Sequence, residues 1–346
     1  MTASHTRYVS IEKESTYGTE PSGTPAIGEV ESETFQVQYD VAKRADMNYY
    51  GAAKSVVGKK FAEGGVSMAL QPDKFLANCV MGIFGSHDNN TNAGPHTFSE
   101  IAVTATTELP SYTFRVGRDD KEYTYTGQVI ESLGVSASMG EYAMVSVSTV
   151  GKGDESLASL STSVTGYTGD ACHFARAFVA FEETATNSAA TSKLVQSVDF
   201  EIKTNRDVDN SYALGSQTCV RAPPVTNREV TGSITFHKAV LTADVSDNEI
   251  SYDELRGATN ASNTAMVNPG SAAPALSLLF EVTGASESIR FDFFKVQYEM
   301  AETSVSGRDS QTMTVNFHAL YDLGDANKMV ECVITSTNEI ANGDTF

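Results

Sequence analysis

The segment Tyr123 to Gly151, YTYTGQVIESLGVSASMGEYAMVSVSTVG, leaves few folds open. Tyr123, Tyr125, Val129, Leu133, Val135 and Ala137 fall on alternate positions, with Thr, Gln, Ser and Glu between most of them. Met139-Gly140-Glu141 makes a turn, and the alternation resumes through Ala143, Val145, Val147 and Thr149. Successive side chains of a strand point to opposite faces, so the pattern predicts two half-buried antiparallel strands. One face packs on a core. The other is small, hydroxylated and wet, and carries no nucleophile, base or ligand cluster.

Composition extends that reading to the whole chain. Thr, Ser, Val and Gly recur throughout and Trp is absent, which favours short strands and turns over helices. The 346 residues suit one large domain or two of ordinary size. A net charge of −20 argues against a broad nucleic-acid-binding surface and against binding to anionic membrane. Two readings of the acidity stay open: a generally solvated surface, or one placed to repel something anionic. Cys79, Cys172, Cys219 and Cys332 form no Cys-x-x-Cys pair, so free buried thiols are expected rather than a metal site or a disulfide framework. The opening MTASHTRYVSIEKE lacks the apolar core of a signal peptide, and 18 apolar residues never run together, so no membrane anchor is expected and synthesis and assembly in a cytoplasm are.

Tyr8 to Gly28 reads as an extended arm and Glu29 to Tyr39 as a strand. Asp40 to Lys60 is a basic island in an acidic chain, with Lys43, Arg44, Lys54, Lys59 and Lys60 around Tyr49-Tyr50-Gly51, and is expected to form a long loop or β-arm. Gly65 to Leu70 is a strand. Pro72 to Phe84 changes period: Phe75, Leu76, Cys79, Val80, Ile83 and Phe84 fall three and four apart, predicting a helix closed by Gly85. Phe174 to Phe181 is a strand or a short helix.

The second half repeats the order of the first. Thr34 to Gln38 matches Asp199 to Lys203, a polar segment with Gly51 matches one with Gly215, and the strand from Gly65 matches that from Gly232. The helix at Pro72 to Phe84 finds a counterpart in Pro274 to Val282, and Phe291 to Met300 with Thr312 to Leu320 forms a second terminal hairpin. The expected architecture is mainly β: two tandem split β-barrel or β-sandwich domains, each with a flanking helix and a long loop or β-arm. Residues 1–152 make the first, 153–192 a connector, and 193–346 the second, with an insertion near 241–274.

Catalytic and metal signatures are weak. His5, His87, His96, His173, His237 and His318 show no metal-ligand spacing. Asp88-Asn89-Asn90-Thr91-Asn92 opens like a calcium loop, but Ala93 and Ser99 stand where Gly and Glu are needed. Asp119, Asp120 and Glu122 suit a hairpin turn better than acid–base work. No enzyme, cofactor or metal is expected.

Glu14-Ser15-Thr16-Tyr17-Gly18-Thr19 is similar to the Glu-x-Thr-Tyr-Gly-Thr opening of the tail tube proteins of tailed viruses. The Glu31 to Tyr39 strand, the long arm, the helix ending Gly82-Ile83-Phe84-Gly85, and Tyr123-Thr124-Tyr125-Thr126-Gly127 also resemble that family. The resemblance implies split barrels assembled into rings around a DNA-sized channel, stacked as the tail tube of a virion. Rings of three chains with pseudo-sixfold symmetry and rings of six are both open. It further implies contacts with tape-measure, terminator, and baseplate or tip proteins, and with a sheath where one exists. Under that implication Ser132, Ser136, Ser138, Glu141, Ser146, Ser148, Thr303, Ser306, Thr312 and Thr314 line the channel, and DNA passes without specific binding. Lys43, Arg44, Tyr49, Tyr50, Lys54, Lys59 and Lys60 form an arm that stacks on the next ring. Rival readings are a tail terminator, a capsid decoration protein, or a β-sandwich adhesin.

Overall fold

The computed structural model describes residues 7–45, 47–88, 95–101, 108–153, 155–161, 164, 166, 169–181, 195–237, 275–284, 286–299, 312–323, 328–336 and 340. The chain opens with β1 (Arg7–Lys13), β2 (Ala26–Gly28), β3 (Val30–Glu33), β4 (Gln36–Ala45) and β5 (Ala52–Ala69). Helix α1 (Lys74–Phe84) follows, then β6 (Gly85–Asp88), β7 (His96–Glu100), β8 (Tyr112–Arg118), β9 (Lys121–Ser138), β10 (Met144–Gly151) and β11 (Glu155–Ala158). The second half supplies β12 (Ala177–Ala180), β13 (Val195–Lys203), β14 (Glu229–His237) and β15 (Leu276–Glu281). It ends with β16 (Ser288–Phe293), β17 (Val296–Tyr298), β18 (Thr312–Ala319) and β19 (Val330–Thr335).

Among the described residues the strands form two sheets. The larger runs β17-β18-β14-β13-β9-β10-β5-β3, with β1, β2, β4, β8 and β11 attached at its margins. The smaller runs β12-β15-β16-β19-β7-β6. Neither closes on itself, so the chain carries open sheets where barrels were expected. The first half contributes the order β3-β5-β10-β9 and the second β13-β14-β18-β17. In chain order each is first, second, fourth, third. One detail recurs at side-chain level. Phe200 pairs with Gly232, and the register of Glu33 with Val66 and Gln36 with Glu63 sets Phe35 opposite Gly64. Both phenylalanines are buried, and a Cβ on Gly64 would lie 2.6 Å from Phe35 Cα.

β9 joins the halves. From Leu133 to Ser138 it alternates as the sequence predicts, with Leu133, Val135 and Ala137 buried. From Thr124 to Ile130 most side chains are buried on both faces, because Gly127 (φ 67°) breaks the alternation and α1 packs on one side. Gly82 is needed there: a Cβ on it would fall 2.4 Å from Ile130 Cγ1. The helix starts at Asp73, whose Oδ1 accepts from the Leu76 N–H at 2.7 Å, and stops at Gly85 (φ 86°). It lies between β1, β2 and β9 of the larger sheet and β6, β7 and β19 of the smaller. Core residues from both halves, Phe75, Phe98, Phe114, Phe200, Phe291 and Phe317 among them, form one cluster.

Several expectations need correction. Pro274 to Val282 holds strand β15, not a second helix; its run Leu276 to Phe280 is buried on every side. Tyr8 to Gly28 is not a free arm, since β1 pairs with β8 and β2. Phe291 belongs to the smaller sheet, so the second terminal hairpin is β17 with β18 alone. Phe174 to Phe181 is both a turn of 3-10 helix, Phe174–Arg176, and strand β12. The connector contains β11, which adds to β9. All four cysteines are buried free thiols, as expected.

Candidate functional site

The continuous pairing from β5 to β17 puts the wet side chains of both halves on one face. One row across it is Ser148, Ser132, Lys203 and Glu229; the next is Ser146, Gly134, Glu201, Thr231 and His318. A third is Met144, Ser136, Asp199, Ser233 and Asn316, and a fourth Ser138, Ser197, Thr235 and Thr314. Ser132, Ser136, Ser138, Ser146, Ser148, Thr312 and Thr314 therefore share a single surface. Glu141 is exposed at the β9–β10 turn. Thr303 and Ser306 lie outside the described residues.

Local bonding keeps this face polar but occupied. Ser132 and Ser148 hydroxyls meet at 2.8 Å and those of Thr235 and Thr314 at 2.9 Å. Ser233 donates to Asp199 at 2.6 Å, and Lys203 pairs with Glu201 at 2.8 Å. His318 lies 3.0 Å from Glu299, and Asn316 donates to the same carboxylate at 3.3 Å. The contact with His318, then that with Asn316, holds the Glu299 carboxyl below its ordinary range. A shallow hollow of about 820 Å³ lies over the middle of the face, where Gly134 has no side chain to fill it. Asp199, Glu201, Glu229 and Glu299 outnumber Lys203 around it, so the face is acidic.

The basic island forms a β-hairpin of β4 and β5, projecting beyond the sheet. Lys43 stands opposite Ser55 and Arg44 opposite Lys54. Tyr49 is 61% exposed and Tyr50 fully so; Tyr39, Val41, Met47 and Val56 are exposed as well. The root of the arm is different. Lys59 pairs with Asp209 at 2.7 Å and lies 5.0 Å from the centroid of the Tyr212 ring. The Lys60 N–H donates to the Gln217 carbonyl at 2.7 Å, and the Tyr212 hydroxyl to the Lys60 carbonyl at 2.8 Å. Residues 205–228, the connection between β13 and β14, thus clasp the base of the arm. They are anchored by Arg206, which donates to the Ile130 carbonyl at 3.1 and 3.2 Å and to the Pro223 carbonyl at 3.1 Å. Burial lowers that guanidinium to about 10. Arg206 carries no sequence motif and was not foreseen.

Sequence reading also missed what ties the N-terminal segment down. Glu14 is buried, and its carboxylate accepts four hydrogen bonds, each 2.7 Å long: from the N–H groups of Gly18 and Gly127 and the hydroxyls of Ser111 and Thr113. Gly18 (φ 69°) and Gly127 (φ 67°) both take left-handed conformations, and Tyr17 packs beside Gly127. The Glu-x-Thr-Tyr-Gly-Thr opening and the Tyr-x-Gly strand are two halves of one knot. Their spacing across the sequence follows from a single buried carboxylate.

A profile of the family described as phage tail tube protein matches residues 4–319. The chain belongs to that family. It is a structural protein of a viral tail tube, located in the virion tail, where it self-assembles and associates with other tail proteins. Comparison with curated proteins finds no match.

The remaining candidates fall into place around this. Among the described residues no group of three or more His, Cys, Asp or Glu side chains is arranged to hold a metal ion, and no helix is long and apolar enough to cross a membrane. Asp119 (φ 54°) and Asp120 do make the β8–β9 turn, and Asp119 binds Arg7. Asn89 to Asn92 lie outside the described residues. The histidines are less scattered than expected: His87 Nε2 lies 3.0 Å from His96 Nδ1, with the rings stacked in the smaller sheet.

Proposed function

We propose that this tail tube protein forms rings whose inner wall is the wet face described above, and that the rings stack into a tube through which DNA enters the host. The carrying observation is the convergence of seven small hydroxylated residues, from Ser132 in the first half to Thr314 in the second, on one unbroken face. Such a wall offers a duplex no row of cations to exchange for its counter-ions, so DNA slides without sticking. Residues 1–152 and 193–346 act as two tube domains joined by the 153–192 connector, each completing a split barrel only in the ring. Closure pairs sheet edges that would otherwise invite aggregation. Three chains supply six such domains; six chains are the alternative.

The arm serves the axial contact. Lys43, Arg44 and Lys54 face the acidic surface of the neighbouring ring, and Tyr49 and Tyr50 supply apolar anchors. Lys59 and Lys60 form the root, where Lys59 is engaged by Asp209. Tape-measure, terminator and baseplate or tip proteins, and any sheath, meet the ends and outside of this tube, which assembles in the host cytoplasm. Electron microscopy of purified protein tests the reading: hollow stacked rings wide enough for a duplex are expected. Virions carrying Ser136→Arg with Ser146→Arg should assemble tubes yet deliver DNA poorly. Unimpaired delivery by such virions would overturn the assignment of the channel face.

A further inference from the structure

We propose that the turn between β9 and β10, Met139 to Tyr142, is the seat for the arm of a second copy of the chain in the next ring, receiving Val56 and Lys54. The inference rests on the stacked-ring reading and names the surface on which the arm lands.

The two features lie at opposite ends of the same strands. β10 pairs with β5 from Met144 opposite Ala69 to Gly151 opposite Ala62. β5 begins ten residues beyond that last pair, at Ala52, and β4 runs alongside it. The turn closes the other end, between Ser138 and Met144. The eight residues of β10 set the two ends about 26 Å apart. Copies stacked head to tail along the strands therefore bring the arm end of one against the turn end of the next, a contact that repeats without closing. Arm and turn both belong to the first half, so every chain brings one of each.

The clasp sets the height at which the arm is met. Gln217 Nε2 donates to the Val57 carbonyl at 2.9 Å, so the 205–228 segment holds the arm up to Val57. The stretch just beyond faces the rim of the next copy. Val56 pairs with Ala42 and Lys54 with Arg44, and strand alternation puts these four side chains on one face. That face carries an apolar row beside a cationic one, and Val56 is 67% exposed.

The turn presents the complement. Met139 and Tyr142 are each exposed by more than half, with the exposed carboxylate of Glu141 between them and that of Asp170 in the segment that braces them. The bracing is extensive. The Met139 N–H donates to the Gln196 carbonyl at 3.2 Å, the Phe174 N–H to the Glu141 carbonyl at 3.2 Å, and the Ala143 N–H to the Cys172 carbonyl at 2.9 Å. The Tyr142 ring meets His173 edge-on, with centroids 5.3 Å apart. A pre-ordered patch of large apolar side chains flanked by acids fits a valine flanked by cations, and this charge match selects the arm of a second copy as its occupant.

The test uses the full chain with Val56→Cys and Met139→Cys together, treated with a short bismaleimide after assembly; the four native thiols are buried. A ladder of adducts extending beyond six chains is expected, since each link joins one ring to the next. A mixture of the two single variants should give pairs only. Hollow tubes by microscopy with no adduct, or with a ladder that stops at the size of one ring, would overturn this seat while leaving the tube reading intact. Unsubstituted protein that forms neither rings nor tubes at any concentration would overturn both. As a second measurement, Glu141→Lys and Lys54→Glu should each leave unstacked rings with unaltered circular dichroism, and the two changes in one chain should restore tubes. Normal tubes from Glu141→Lys alone, or no recovery in the combined variant, would overturn the inference.

Discussion

The β4–β5 arm and the 205–228 clasp occupy the same place in the two halves, each connecting the first strand of a repeat to the second. They do opposite things. The arm continues both strands into solvent and displays tyrosines, valines and cations, while the clasp abandons strand geometry and folds back. Its bonds reach the arm root at Val57 and Lys60, and the sheet at Ile130. One half projects an exposed hairpin and the other supports its base. A ring of three chains would then carry three projecting arms rather than six, each stiffened at its base by its own chain.

The shared framework should respond alike in the two halves. Phe35→Ala and Phe200→Ala each empty a buried aromatic site opposite a glycine and should each cost about 3–5 kcal/mol. Urea unfolding of both variants checks this, and costs that differ several-fold would break the equivalence of the halves. Next in size, Arg206→Ala frees the Pro223 carbonyl, leaves the Ile130 carbonyl with the Thr204 hydroxyl alone and releases the clasp; about 3 kcal/mol is expected from the lost buried hydrogen bonds. Faster amide exchange should appear at Lys60, whose N–H the clasp holds. Unchanged exchange there would mean the arm is rigid without its support.

Arm substitutions should separate folding from assembly. Tyr50→Ser with Lys54→Ser touches exposed side chains, so stability should move by no more than ~0.5 kcal/mol, while rings fail to stack in electron micrographs. Normal tubes from this variant would remove the arm from the axial contact. The smallest effect concerns the sheet where both halves meet. Burial pushes the Asp292 carboxyl above its ordinary range despite the bonds from Ser277 and Arg290. The folded state therefore holds a proton that the unfolded chain has released, and stability should fall as pH rises from the unfolded toward the folded pKa. Asp292→Asn should flatten that part of a pH–stability curve; an unaltered slope would assign it to another group.

Some of this molecule is legible in the chain because its signals are local. Helix α1 has a capping Asp73, a three–four period and a left-handed Gly85, and all three act within a turn of where they are read. The Leu133 to Ser138 stretch alternates because one sheet face is buried and the other wet. β15 misled for the converse reason: Leu276 to Phe280 is buried on every side, and a short run buried throughout has no period to tell strand from helix. The island at Asp40 to Lys60 was visible as a charge anomaly, yet nothing in it showed that Lys59 would be held by Asp209 rather than offered to a neighbour.

By itself, the sequence determined a mainly β protein with a helix over Pro72 to Phe84, a repeated order of strands, a wet hydroxylated face and a family likeness at Glu14 to Thr19. Those properties depend on side-chain period, turn residues and charge, which neighbouring positions carry. Only the tertiary structure decided that the two halves share one sheet through β9 and β13, and that Glu14 gathers four donors from three separate segments. It alone also clasped one half's connection around the root of the other's arm. Each of these is a contact between positions far apart in sequence, set by register and packing, and no local pattern encodes them.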